Sequence, residues 1–104
     1  MRERLRSRFI RIVEATGRRL EQHGRFDEAL DRFRSGLQAD DLVEGFYMGQ
    51  MRCHLALDRP AEALGTYRRM QHIFSVVLGI EPSKDSMALR DQALMRHPNP
   101  PQQA

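Results

Sequence analysis

Apolar positions recur every three or four residues through most of this 104-residue chain, the spacing that keeps them on one face of an α-helix. Glycine and proline interrupt the pattern and divide it into five predicted helices. The first, about Arg4 to His23, aligns Leu5, Phe9, Ile12, Val13, Thr16 and Leu20 and ends at Gly24, a residue suited to a left-handed cap. The second, about Phe26 to Ala39, carries Ala29, Leu30, Phe33 and Leu37 behind Asp27 and Glu28, acids that the positive end of a helix favours. The third is expected to take Asp41 as its N-cap, with Glu44 reaching back as in a capping box, and to run to Leu57. The fourth opens on Pro60, whose missing N–H would have no partner at that position. Its stripe Ala63, Leu64, Tyr67, Met70, Phe74, Val77 and Leu78 is expected to face a core as far as Gly79. Ile80 is placed to make the apolar contact of a Schellman ending, and Pro82 blocks continuation. The fifth, capped by Ser83 and running to about Met95, offers Met87, Leu89, Ala93 and Leu94. Residues 1–95 therefore read as one all-α domain, and residues 96–104, rich in Pro and Gln, as a disordered tail with nothing to bury.

Two stretches repeat. Gly24 to Leu30 (GRFDEAL) aligns with Asp58 to Leu64 (DRPAEAL) at an offset of 34 residues, the tetratricopeptide period. The shift pairs Arg25 with Arg59, Glu28 with Glu62, Ala29 with Ala63, Leu30 with Leu64 and Phe33 with Tyr67. The residue types suit a helical hairpin: a small Ala lets two helices approach, and an aromatic one turn later fills the space beside it. Ala29, Phe33, Ala63 and Tyr67 are thus the expected packing residues of two antiparallel hairpins, with the fifth helix as a C-terminal cap. Two repeats leave apolar ends, and about three stacked units are usually needed. The end not covered by the fifth helix calls for a preceding domain or a second copy. Gly36, Gly49 and Gly65 fall inside helices at a cost of roughly 1 kcal/mol each, with close packing as the expected compensation.

With the repeat established, residues 61–94 (AEALGTYRRMQHIFSVVLGIEPSKDSMALRDQAL) resemble the end of the bacterial transcriptional activator domain, the tetratricopeptide-like module of antibiotic-regulatory-type activators. The most specific piece is Leu78-Gly79-Ile80-Glu81-Pro82-Ser83, and GRFDEAL resembles the family's first hairpin, so the resemblance covers about residues 3–95. Lys84 stands where the family often has Pro. The resemblance implies a regulatory module for protein contacts, self-association and activation, one that typically follows a winged helix-turn-helix domain.

The net charge is +3, and all the cations but Lys84 are Arg, a skew that reads first as codon usage. Residues 1–34 hold ten Arg against six acids, the remainder seven cations against eight acids, so an anionic partner should prefer the N-terminal half. Arg4, Arg8, Arg11, Arg18 and Arg19 form a basic stripe on the first helix. It has no interleaved aromatics and no recognition motif, and a solvated face or domain junction accounts for it better than nucleic acid does. Tetratricopeptide arrays line a concave surface with the first helix of each hairpin, which nominates Arg11, Glu14, Arg18, Glu21, Met48, Arg52 and Leu55 as a groove for an extended or helical partner. Against that stands a plain solvated face, with Glu14 and Arg18 paired at i, i+4.

No catalytic residue, cofactor or metal is implied. His23, His54, His72 and His97 lie on different elements, Cys53 and the adjacent His54 point to different helix faces, and no phosphate loop or nucleophile elbow occurs. Cys53, the single cysteine, reads as a small buried apolar residue in a reducing, cytoplasmic setting. No apolar run reaches the roughly 20 residues needed to span a bilayer. The expected partner is a protein: another domain of the same regulator, a second copy, or the transcription machinery. The competing readings are a stand-alone groove adaptor and, less favoured, a nucleic-acid binder.

Overall fold

A computed structural model describes residues 2–96, with the backbone alone for Arg2. The expectation of a disordered tail over residues 96–104 lies, beyond Arg96, outside the described residues. Five helices occur, and there is no strand among the described residues: α1 Arg2–Gln22, α2 Phe26–Ala39, α3 Glu44–Ala56, α4 Pro60–Ile73 and α5 Lys84–Arg96, with a π-helical turn, Phe74–Leu78, extending α4. Packing proceeds as in a tetratricopeptide stack. Helix α1 packs on α2, α3 packs on both, α4 packs on α3, and α5 packs on α3 and α4.

The 34-residue period is visible in the backbone. Gly24 and Asp58 both adopt left-handed φ, 72° and 59°. Around them the hydrogen bonds correspond one to one. Gly24 N–H donates to Glu21 O and Arg25 N–H to Leu20 O; Asp58 N–H donates to Leu55 O and Arg59 N–H to His54 O. A left-handed non-glycine residue costs of order 1 kcal/mol, and Asp is among the few that tolerate it. Asp58→Gly is therefore expected to raise stability by up to about 1 kcal/mol, less what is lost from the exposed 3.3 Å Arg96 contact to Asp58; a lower urea midpoint would contradict this.

Two apolar clusters share α3. Ala29, Leu30, Phe33, Val43, Phe46 and Cys53 pack with Phe9, Ile10, Val13 and Leu20 of α1. Tyr47, Met51, Leu55, Ala63, Leu64, Tyr67, Met70 and Phe74 pack with Ala93 of α5. Ala29, Phe33, Ala63 and Tyr67 are all buried. Phe33 and Tyr67 play parallel parts, each reaching the first helix of the next unit. The Phe33 ring tip lies where a Cβ on Gly49 of α3 would come within 2.4 Å, and where one on Gly17 of α1 would come within 2.3 Å. The Tyr67 ring carries Arg90 of α5 with its guanidinium carbon 5.2 Å from the ring centroid, a cation–π contact. Helix α5 thus occupies the place of a third repeat's first helix.

Several expectations need correction. Helix α3 starts at Glu44, with Val43 before it and no side-chain cap. Asp40, not Asp41, caps the loop by accepting from Leu42 N–H at 3.1 Å, while the Asp41 carbonyl accepts from the Tyr47 hydroxyl at 2.7 Å. Glu44 makes no capping box because its carboxylate is drawn across to α5, where the Ser83 N–H donates to it at 2.7 Å and the Ser86 hydroxyl donates as well. Ser83 does cap α5, accepting from Ser86 N–H at 3.3 Å.

The apolar stripe of α4 ends at Phe74. Val77 and Leu78 are exposed with Val76 and Ile80, because the π-helical turn Phe74–Leu78 as an element packs against none of the described helices but its own α4. Gly79 still ends it with a left-handed φ of 67°. Ile80 N–H reaches back to Phe74 O at 3.3 Å, yet its side chain makes no buried contact. Leu5 and Ile12 are exposed as well, since among the described residues α1 packs only on α2 and α3. Gly36 is closely packed against Phe46 and Val13, whereas a Cβ on Gly65 would meet only Arg69 at 3.6 Å. Close packing therefore compensates the first glycine and not the second.

Candidate interaction groove

Helices α1 and α3 run side by side with the Phe33 ring of α2 behind them, and the glycines where they meet leave room between their backbones. The result is an open pocket of about 300 Å³ lined by Glu14, Arg18, Phe33, Gly45, Met48 and Arg52. Four of the seven nominated groove residues therefore meet at one place. Glu21 is adjacent but engaged: Arg52 grips it with two hydrogen bonds, Nε to Oε1 at 2.9 Å and Nη2 to Oε2 at 3.0 Å, in a half-buried bidentate pair. Arg11 is exposed on α1 outside the pocket lining. Leu55 does not belong. It is 5% exposed and packs with Ala63 and Met51 in the second cluster, because α3 is buried on two sides and the turn holding Leu55 faces α4.

The i, i+4 pair of Glu14 and Arg18 is not formed among the described ion pairs. The Glu14 carboxylate lies instead over the first turn of α3, so close to Gly45 that a Cβ there would overlap it. A negative charge is favoured at that helix end, and Gly45 is what admits it. The basic stripe, Arg4, Arg8, Arg11, Arg18 and Arg19, is exposed throughout and enters no ion pair among the described residues; the paired arginine of this segment is Arg6, 2.7 Å from Asp40. Sequence reasoning missed Gly17 and Gly45, although Gly17 stands four residues after Val13 and three before Leu20, on the apolar face where a glycine marks close approach.

His54 is buried against α4, its Nδ1 without a hydrogen bond and 3.8 Å from Glu62 Oε2. Burial lowers its pKa below the ordinary 6.5; Glu62 opposes the shift, while Arg59 just before α4, Arg69 of α4 and Arg34 of α2 add to it. A lowered folded value means that the unfolded chain takes up the proton first. Stability should be fully present above about pH 6.5 and decline as pH falls below it. Denaturation at neutral pH and near pH 5 checks this: His54→Gln should flatten the slope in that window, and an unchanged slope would contradict it. Burial pushes the Cys53 thiol up to about 12, so at neutral pH iodoacetamide should label it only after unfolding.

Among the described residues, no helix is long and apolar enough to cross a membrane, and no group of three or more His, Cys, Asp or Glu side chains could hold a metal ion.

The helices thus define an all-α, tetratricopeptide-like stack. The family model of the bacterial transcriptional activator domain matches residues 1–94, and the chain belongs to that family. It is a transcription-activator-related, regulatory domain, not a known enzyme family. Neither the curated proteins nor the solved structures gave a match.

Proposed function

We propose that this chain is the effector or oligomerisation module of a bacterial transcription regulator, acting in the cytoplasm by binding another polypeptide: a neighbouring domain, a second copy or the transcription machinery. Residues 1–95 act as the binding unit. The observation that carries this reading is the apolar surface the stack leaves uncovered: Leu5 and Ile12 at one end, and Val76, Val77, Leu78 and Ile80 beyond α4. Contiguous exposed apolar patches of this kind mark protein contacts. The test is transcriptional. Joined to an unrelated DNA-binding domain at a promoter without its own activator, the chain should raise reporter output severalfold over that DNA-binding domain alone. Equal output would end the proposal.

The pocket between α1 and α3 favours a second reading, a peptide adaptor that uses the groove without any tie to transcription. A chain that captures a groove peptide and leaves the reporter silent would favour it. Direct nucleic-acid binding through the α1 stripe is the least supported, because Phe9, the aromatic of α1, packs on Phe46 and not beside the exposed arginines; such binding would fall steeply with added salt.

A further inference from the structure

The proposed function names a polypeptide partner, and on that reading the groove itself points to the partner's chemistry. We infer that the pocket between α1 and α3 takes one bulky apolar side chain from an acidic segment, whose carboxylates are met by Arg18 and Arg11.

Three observations converge. The pocket holds about 300 Å³, at the lower edge of the roughly 300 to 1,000 Å³ that ligand sites occupy. That suits a single large side chain. Its floor and wall are Phe33 and Met48, and Met adapts readily to the shape of an inserted anchor. The rim carries both signs. Arg52 is chelated by Glu21, and Glu14, which itself lines the pocket, has its carboxylate over Gly45 at the start of α3, so neither acid is paired with Arg18 or Arg11. Both arginines are exposed and outside any described ion pair. An arginine left free beside an apolar pocket presents a planar fork that fits a carboxylate.

The geometry also sets a register. Arg11 and Arg18 lie seven residues apart, about 10.5 Å along α1. A helical partner would match them with acids seven residues apart, an extended one with acids about three apart at roughly 3.3 Å per residue. The anchor would enter beside the acid that meets Arg18. Central apolar anchors ringed by charge are the usual form of a binding hot spot.

The test uses the full chain and three fluorescein-labelled decapeptides followed by anisotropy. One has a central Phe flanked by Asp and Glu, one replaces that Phe with Ala, and one replaces the acids with Lys. The acidic, Phe-bearing peptide should bind about tenfold more tightly than either control, and the amide resonances of Gly45 and Met48 should shift as it binds. Arg18→Glu, at an exposed position that leaves the unfolding curve unchanged, should cost about tenfold, and Met48→Ala should erase the preference for Phe over Ala. Three indistinguishable peptides, no binding by any, or unchanged affinity in Arg18→Glu would overturn the inference. So would a duplex oligonucleotide that displaces the acidic peptide, which would reassign the arginines to phosphate. The reporter separates this failure from that of the proposed function: Arg18→Glu that still activates, in a chain without peptide selectivity, sinks the groove and leaves the regulatory role standing.

Discussion

Gly49→Ala is expected to destabilise this chain by about 2 kcal/mol, although alanine is the better helix former. The propensity gain is roughly 1 kcal/mol. Against it, the new Cβ would lie 2.4 Å from the tip of the Phe33 ring, and the ring has little room to retreat because a Cβ added to Gly17 of α1 would likewise come within 2.3 Å of that tip. Overpacking a filled core costs about 1 to 3 kcal/mol, and a ring tip this close to two helix backbones belongs at the upper end. Gly17→Ala should behave alike. Phe33→Ala, which empties the slot, should cost about 3 to 5 kcal/mol. Gly65→Ala is the control: with only Arg69 nearby at 3.6 Å, it should gain close to the full propensity difference. The diagnostic result is the coupling. In a Phe33→Leu background the penalty of Gly49→Ala should shrink by more than about 1 kcal/mol, as residues in direct contact do not add. Urea unfolding of the five single variants and the double variant measures all of this, and a Gly49→Ala chain as stable as Gly65→Ala would refute the wedge.

Much of the fold was legible because its determinants are local. The 34-residue offset that pairs Ala29 with Ala63 is a property of the string, and the two left-handed turns at Gly24 and Asp58 follow from it. The match of residues 1–94 to the activator-domain family agrees with the resemblance drawn from the Leu78-Gly79-Ile80-Glu81-Pro82-Ser83 ending. What failed depended on where neighbouring helices stop. Val77 and Leu78 continue a faultless apolar spacing, yet α4 outruns its neighbours and they end in solvent. Spacing records which residues share a face, not whether anything covers that face.

The groove was half legible for a related reason. Helical spacing correctly put Glu14 and Arg18 on one side of α1 and Met48 and Arg52 on one side of α3, and those four line one pocket. Leu55 was misplaced because α3 packs on two sides, so its apolar residues run around the helix and no single face is marked as free. The partners chosen by the charges were invisible. Glu14 has Arg18 within reach on its own helix and yet turns to α3; Glu21 is claimed by Arg52 from 31 residues away. Such choices depend on desolvation and on the free donors of a helix end, which become defined only once the helices have packed.

Glu44 offers the second large effect. Its carboxylate accepts from the Ser83 N–H and the Ser86 hydroxyl, latching the start of α5 to the first residue of α3. Ser86 is fully buried and its hydroxyl has no other described acceptor, whereas the Ser83 N–H can turn to water. Glu44→Ala should therefore cost about 2 to 3 kcal/mol, the range for losing a charged acceptor with a buried donor stranded. Glu44→Gln, which keeps an acceptor without the charge, should cost about half as much. Burial alone would raise the Glu44 pKa, but hydrogen bonds from Ser86 and Ser83 outweigh it, so the group titrates below its ordinary 4.5. Its contribution is then complete above about pH 4.5 and lost as pH falls through the lower folded value, a window separate from that of His54. The loss should also be local. Helix α5 covers Tyr67 and contributes Ala93 to the second cluster, so amide exchange in Glu44→Ala should quicken first along α5 and leave the α1–α2 hairpin protected. Uniform acceleration through all five helices, or wild-type stability at neutral pH, would show that the latch does not hold the cap.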